Sequence, residues 1–209
     1  MANQAILGNY EFELSGGVLC LDFANTGPDQ KAPETGVEKL NSYADLISWA
    51  VQSGDITNPD ARRLLNAANH SPAKAKAALR KACELRQAIY DTFAAIATDR
   101  APKAEDLDIL NKYWKASAAH RSVSPTSSGF QQIWTSDPSD ELERPLWSIA
   151  VSAAELLTGE LIGHVRQCAS EKCSWLFLDQ SRNRSRRWCD MKVCGNRAKA
   201  KRHYEKSKD

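Results

Sequence analysis

The chain has 209 residues, 42% hydrophobic and 26% charged, which is ordinary for a globular protein with room for one sizeable core, or one core and a small appended module. No stretch approaches the ~18 consecutive apolar residues of a membrane span. The opening MANQAILGNYEFELSGG lacks the basic and apolar regions of a signal peptide, so a cytoplasmic location with reduced thiols is expected. The net charge of +2 hides an asymmetry: residues 1–163 hold 15 Lys+Arg against 21 Asp+Glu, whereas residues 164–209 hold 13 against 5. An acidic body with a basic tail suits a polyanionic partner for the tail.

In chain order, EFELSGGVLCLDFANT (Glu11–Thr26) alternates apolar and polar residues up to Gly16-Gly17 and then turns apolar, which predicts an extended β element. GPDQKAPETG reads as a loop. Helices follow. NSYADLISWAVQSG puts Leu46, Ile47 and Ala50 on one side and stops at Gly54. Asn58-Pro59 and Ser71-Pro72 each read as an N-cap followed by proline at the first helical position. The second opens a long helix from Pro72 to about Thr98, and Pro102 opens another to about Ala118. AHRSVSPTSSGFQQIWT breaks the period and predicts a polar hairpin or long loop. A last body helix is expected from Pro145 to about Arg166, with apolar residues at Leu146, Ile149, Ala153, Leu157, Leu161 and Val165. Because it runs into the tail without a linker, rigid coupling is expected. There is no repeat and no low-complexity segment.

The tail holds Cys168-x4-Cys173, fifteen residues, then Cys189-x4-Cys194. Two equally spaced pairs joined by a short strand and loop form a four-cysteine arrangement for structural zinc, each pair on a tight turn with both sulfurs inward. A disulfide reading conflicts with the expected reducing compartment. A redox reading would need C-x-x-C near a βαβ pattern, and neither is present. His164 and His203 are left out of the ligand set. A module of roughly 40 residues is near the size at which a metal becomes necessary. Trp175, Phe177 and Trp188 are the candidates for its miniature core.

CASEKCSWLFLDQSRNRSRRWCDMKVCGNRAKAKRHYEK closely resembles the CGNR zinc finger, a bacterial module. The likeness covers the four cysteines, the Trp-x-Phe-x-Asp strand, Arg-Arg-Trp-Cys and the basic final helix. LCLDFANT (Leu19–Thr26) resembles the mark of the ABATE domain that precedes this finger. The resemblance implies a DNA-binding, stress-linked transcription regulator whose N-terminal domain senses a small molecule.

The residues themselves also point to nucleic acid. Arg184, Arg186 and Arg187 crowd a polar loop, and Arg197, Lys199, Lys201 and Arg202 crowd a predicted helix. Arg197 and Lys201 stack at i, i+4 with little to relieve their repulsion, which a polyphosphate would do. Arginine in the loop favours phosphate and guanine recognition. RNA stays open as an alternative to DNA.

In the body, Arg86 falls in the middle of a stripe formed by Leu79, Cys83, Tyr90, Phe93 and Ala97, and a buried guanidinium needs a partner. Asp22 is the expected partner, with Asn25 and Thr26 as further polar groups and Trp49 as a wall. The set reads either as a structural ion pair or as a pocket for an anionic small molecule. No P-loop, dinucleotide glycine loop or G-x-S-x-G elbow is present, and a four-sulfur zinc has no open position, so an enzyme is not expected. An enzyme or small-molecule binder would have to use the Asp22/Arg86 region. A homodimer would suit a regulator, although no heptad asks for one.

The expected architecture is thus mainly helical α+β. A helical body (residues 1–163) with a small N-terminal β element and a hairpin precedes a zinc finger (residues 164–209).

Overall fold

The structure, a computed structural model, describes residues 10–32, 36–135 and 141–207. Its first regular element is a helix. Leu19–Ala24 forms α1, where an extended strand was expected, because the chain folds back on itself at Gly16-Gly17. The Gly16 N–H donates to Asp22 Oδ1 at 2.7 Å. A Cβ on Gly16 would meet the Asp22 nitrogen at 2.7 Å, so this close approach requires glycine. Gly17 then takes the left-handed conformation, φ +81°. Cys20, Leu21, Phe23 and Ala24 are all buried, so α1 is covered on nearly every side. A short apolar run of this kind has no period that separates a buried helix from a buried strand.

The next helices match their punctuation. α2 (Tyr43–Gln52) starts with a capping box between Ser42 and Asp45. α3 (Asn58–His70) is capped by Thr57, one residue before the expected cap, and α4 (Pro72–Ile96) follows from Ser71. α5 (Ala104–Ala118) leads into the antiparallel hairpin of β1 (Arg121–Thr126) and β2 (Gly129–Trp134). The base of the hairpin is anchored on Trp147, against which His120 stacks at 3.6 Å and Trp134 tilts at 6.0 Å.

α6 (Arg144–Thr158) is shorter than the apolar spacing predicts. The chain leaves it extended at Gly159, makes a 3-10 turn over Glu160–His164, and enters β3 (Val165–Gln167). Leu161 prolongs the apolar series but stands 43% exposed, so it does not carry the helix into the core.

β3 pairs antiparallel with β4 (Leu176–Leu178), and this small hairpin is shared by two cores. Successive strand residues point to opposite faces. Leu176 and Leu178 join the main core of Leu21, Phe23, Leu46, Trp49, Leu85, Ile89, Leu146 and Ile149. Phe177 faces the cysteines. Burying the two leucines contributes about 1.5–3 kcal/mol each. The last elements are a π-turn over Met191–Gly195 and α7 (Asn196–Lys206).

α1 packs against α4, α6 and β4, and α4 packs against β3 and β4, so these two helices are where body and finger meet. At the end of α1 the Asn25 amide donates to the Leu176 carbonyl at 2.8 Å and accepts from the Leu176 N–H at 2.9 Å, 151 residues away in sequence. Both bonds are buried. Ser174 is gripped as well: its N–H donates to both Asp29 carboxylate oxygens (3.0 and 3.1 Å), its hydroxyl accepts from the Gln30 N–H, and its carbonyl accepts from the Tyr90 hydroxyl.

Asn25→Ala orphans a buried donor and a buried acceptor of β4, at about 1–3 kcal/mol per group. The unfolding free energy from urea titration is expected to fall by about 2–5 kcal/mol; a change under about 0.5 kcal/mol would show that the clamp does not hold the two parts together.

Candidate metal centre and basic helix

The first cysteine pair is carried on the loop between β3 and β4. There the Cys168 N–H donates to the Trp175 carbonyl at 2.8 Å and a turn brings Cys173 back over Ser170. Of the second pair, Cys189 precedes the π-turn and Cys194 lies within it, and the Asp190 carboxylate accepts from the Val193 N–H at 2.9 Å. A bond from the Ala169 N–H to the Arg187 carbonyl ties the two loops together. Gly195 has helical angles (φ −65°, ψ −44°), so what it supplies is space rather than a special turn. A Cβ there would meet the Met191 sulfur at 2.4 Å.

The four sulfurs lie within 4.8 Å of one another, and all four cysteines are buried. Cys173 Sγ is 3.6 Å from Cys189 Sγ, which is 3.8 Å from Cys194 Sγ. Ligands about 2.3 Å from a zinc ion at tetrahedral angles stand about 3.8 Å apart, whereas a disulfide needs about 2.05 Å. The cysteines are free thiols, so the sulfur set fits a closed structural metal site, consistent with zinc. Neither His164 nor His203 belongs to the cluster.

Packed this closely, the thiols titrate as one interacting set. Hydrogen bonds from Cys173 and Cys189 hold the Cys168 thiol far below its usual value. The hydrogen bond to Cys168 pushes Cys173 and Cys189 up, and burial pushes Cys194 up. A zinc ion held here would keep the four sulfurs as thiolates, and four protein ligands would fill its tetrahedral positions. Phe177, Trp175 and Trp188 pack against the cluster, as the sequence led us to expect.

The basic residues divide into several roles. Arg186 is committed to the fold: its guanidinium bonds the carbonyls of Trp188, Cys189 and Ser15 and stacks 4.4 Å over Phe177. Its backbone N–H and Ser181 are held by the buried Asp179 carboxylate, which shapes this loop. Arg184 is exposed with φ +49°, and Arg187 lies exposed over Trp188. On α7, Arg197, Lys199, Lys201 and Arg202 are all exposed. Arg197, Lys201 and Arg202 face a groove of about 1110 Å³ between finger and body, whose other residues include Tyr10, Glu13 and Lys39. Lys201 is paired with Glu171 at 2.6 Å, a relief of helix repulsion that the sequence gave no reason to expect.

The five residues predicted to form a body pocket do not come together as one. Arg86 is paired with Glu38 rather than Asp22, through Nη1 to Oε1 at 2.6 Å and Nη2 to Oε2 at 2.5 Å, with Thr26 Oγ1 at 3.4 Å. Asp22 caps the Gly16 turn, Asn25 clamps β4, and Trp49 lies in the core 4.8 Å from Phe23. The anomaly in the sequence was correctly placed, but its partner was not. Glu38 sits in an irregular segment where no periodicity marks it. The finger-binding roles of Asn25, Asp29 and Lys31 were also missed, because they depend on a contact about 140 residues away.

Two outcomes test this site. Purified protein is expected to hold about one zinc per chain by elemental analysis, to lose it as pH falls and protons compete for the thiolates, and to lose it in Cys189→Ala. Occupancy well below one in carefully prepared protein would count against the site. Burial raises the Asp22 pKa to about 6, against an ordinary ~3.9, so the folded state prefers the protonated form. Its stability contribution is full below pH ~4 and is lost as pH rises through ~6. Asp22→Asn keeps the acceptor for Gly16 and removes this loss. The difference in stability between variant and parent should therefore grow between pH 4 and 6, reaching on the order of 2–3 kcal/mol at pH 7.

Among the described residues no helix is long and apolar enough to cross a membrane. Comparison with curated proteins returned no match. Two family models match in tandem: the CGNR zinc finger over residues 164–207, and, over residues 17–160, ABATE, described as a putative stress-induced transcription regulator. Since the second match alone spans more than half of the sequence, the chain belongs to the ABATE family, with a CGNR zinc finger at its C-terminal end.

Proposed function

We propose that the protein is a non-catalytic, zinc-dependent transcription regulator that binds duplex DNA through α7 and the Ser181–Arg187 loop. The observation that carries this reading is the rooting of α7 in the metal centre: Cys194 is the last ligand, and the helix begins two residues later with its arginines and lysines exposed. A charged helix of 11 residues is marginal alone, and its anchorage makes it a fixed surface for phosphates. The contacts assigned to phosphate or base edges are Arg184, Arg187, Arg197, Lys199 and Arg202. Lys201 becomes available when Glu171 yields to a phosphate; Arg186 holds the loop.

The proposed sensing role of the body moves with the geometry. A space open to an effector is the groove beside Lys39 and Trp175, where a bound molecule would touch Arg197 and Arg202 directly. Occupation of the groove would then change the surface offered to DNA without any long-range relay.

The test is a salt titration of duplex affinity. Log K against log [salt] should fall with a slope of about −0.9 per phosphate contact, and Arg197→Ala/Arg202→Ala should flatten it by about 1–2 while zinc stays bound. A flat line for the parent protein, or tighter binding to single-stranded RNA in the same assay, would overturn the duplex reading. Repeating the titration with candidate metabolites measures the coupling to the groove.

A further inference from the structure

The four clustered cysteines all belong to the finger, yet the turn that carries the first pair is held from outside it. The Lys31 ammonium donates to the Cys168 carbonyl at 2.7 Å and to the Ser170 carbonyl at 3.4 Å. The Asp29 carboxylate accepts from Ser174, the residue after Cys173, and also from the Lys31 N–H, which joins the two side chains into one bracket. Lys39 donates to the Asn25 carbonyl at 3.0 Å and lies 4.3 Å above the Trp175 ring, itself packed against the cysteines. Lys39 and Cys173 line the same groove. All three residues lie within 15 positions of Asn25, in the segment that leaves α1.

We infer that the metal centre is bipartite: Asp29, Lys31 and Lys39 of the body complete the outer shell of a site whose ligands lie in the finger. The chemistry asks for such a shell. Four thiolates around a divalent cation leave a net charge of about −2 on the buried cluster. Buried charge is tolerated where cations and hydrogen-bond donors surround it. Arg186 supplies part of this from within the finger, at the Cys189 side. At the Cys168–Cys173 side the corresponding cations are the two body lysines. The bracket also fixes the orientation of the first turn, as outer-shell partners do for ligands. By linkage, metal binding and docking of the finger on the body reinforce each other. A finger prised from the body would release its metal more readily, and a finger stripped of metal would dock less firmly.

The experiment uses the full chain loaded with zinc, titrated with a chromophoric chelator at pH 7.5. Lys31→Met and Asp29→Ala are expected to weaken zinc binding about 10–100-fold, the usual cost of losing an outer-shell partner. Lys39→Met should weaken it as well, and Lys39→Arg, which keeps the charge, should restore most of the loss. Lys81→Met, which removes a cation that pairs with Glu143 elsewhere in the body, is the control and should leave zinc affinity unchanged. Lys31 is exposed, so its replacement leaves the core intact and is the decisive variant even if Asp29→Ala fails to fold. Cobalt substitution gives a second readout: the thiolate and ligand-field bands should shift in Lys31→Met if the first turn is reoriented. Zinc affinity within two-fold of the parent in Lys31→Met and Lys39→Met, with an unchanged cobalt spectrum, would overturn the inference.

Discussion

The paired hydrogen bonds between the Asn25 amide and the Leu176 backbone are the constraint on which the remaining architecture rests. A side-chain amide carries a donor and an acceptor side by side, which lets it pair with both backbone groups of one residue, and here both bonds are buried. The backbone groups of β4 thereby find partners on both sides: β3 pairs with one edge, while Asn25 and the Gly16 carbonyl take the other. Without the clamp, an edge of this strand would be buried unsatisfied. With it, Leu176 and Leu178 can enter the body core while Phe177, one residue between them, turns to the cysteines. The metal centre and the body are thus two faces of one short strand.

What could be read in advance follows from how far apart the determining residues lie. The four cysteines declare themselves by local spacing, because each pair occupies a single turn; the sulfur geometry agrees with that reading. Helices α2 to α5 were legible for the same reason: Gly54, Asn58-Pro59, Ser71-Pro72 and Pro102 are punctuation within a few residues of what they punctuate, although the cap of α3 proves to be Thr57. Leu19–Ala24 was misread as extended, since an apolar run buried on all sides carries no period. The end of α6 was misread because Leu161 and Val165 keep a helical spacing past a glycine that leads the chain out extended. Arg86 was legible as a buried charge in need of a partner, but the choice of Glu38 over Asp22 is made by tertiary placement. The LDFANT segment was noticed for its polar residues within an apolar run, and these serve docking and turn formation.

The charge asymmetry gains a different meaning once the pairs are known. Of the seven basic side chains assigned to nucleic acid from sequence, Arg186 is consumed by carbonyls and an aromatic face, and Lys201 is shared with Glu171 and Glu205. The other five stand exposed on the loop and on α7. This matters for a polyanion because a paired cation contributes little until its partner is displaced, whereas a free one exchanges condensed counterions at once. The groove mixes both signs, with Glu13, Asp29, Glu171 and Glu205 facing the cations of α7. A phosphate backbone would gain most away from these acids, at Lys199, Arg184 and Arg187, which do not line the groove.

α7 also has an electrostatic reason to start where it does. The helix continues without a break from the π-turn, so its positive end lies at Asp190, whose carboxylate accepts from the Val193 N–H, and Cys194 of the candidate metal site sits in that opening turn. A thiolate cluster with net negative charge at that end favours the helix, while the cationic side chains further along it do not. The cluster therefore offsets, at the N-terminal turn, some of the repulsion that Arg197, Lys199, Lys201 and Arg202 create. Loss of the metal would remove that anchor together with the turn that supports it, leaving a short cationic segment with no reason to remain helical. A bound metal would act on the exposed face of α7 through charge as well as through connectivity, and body residues that stabilise the cluster would act on it by the same route.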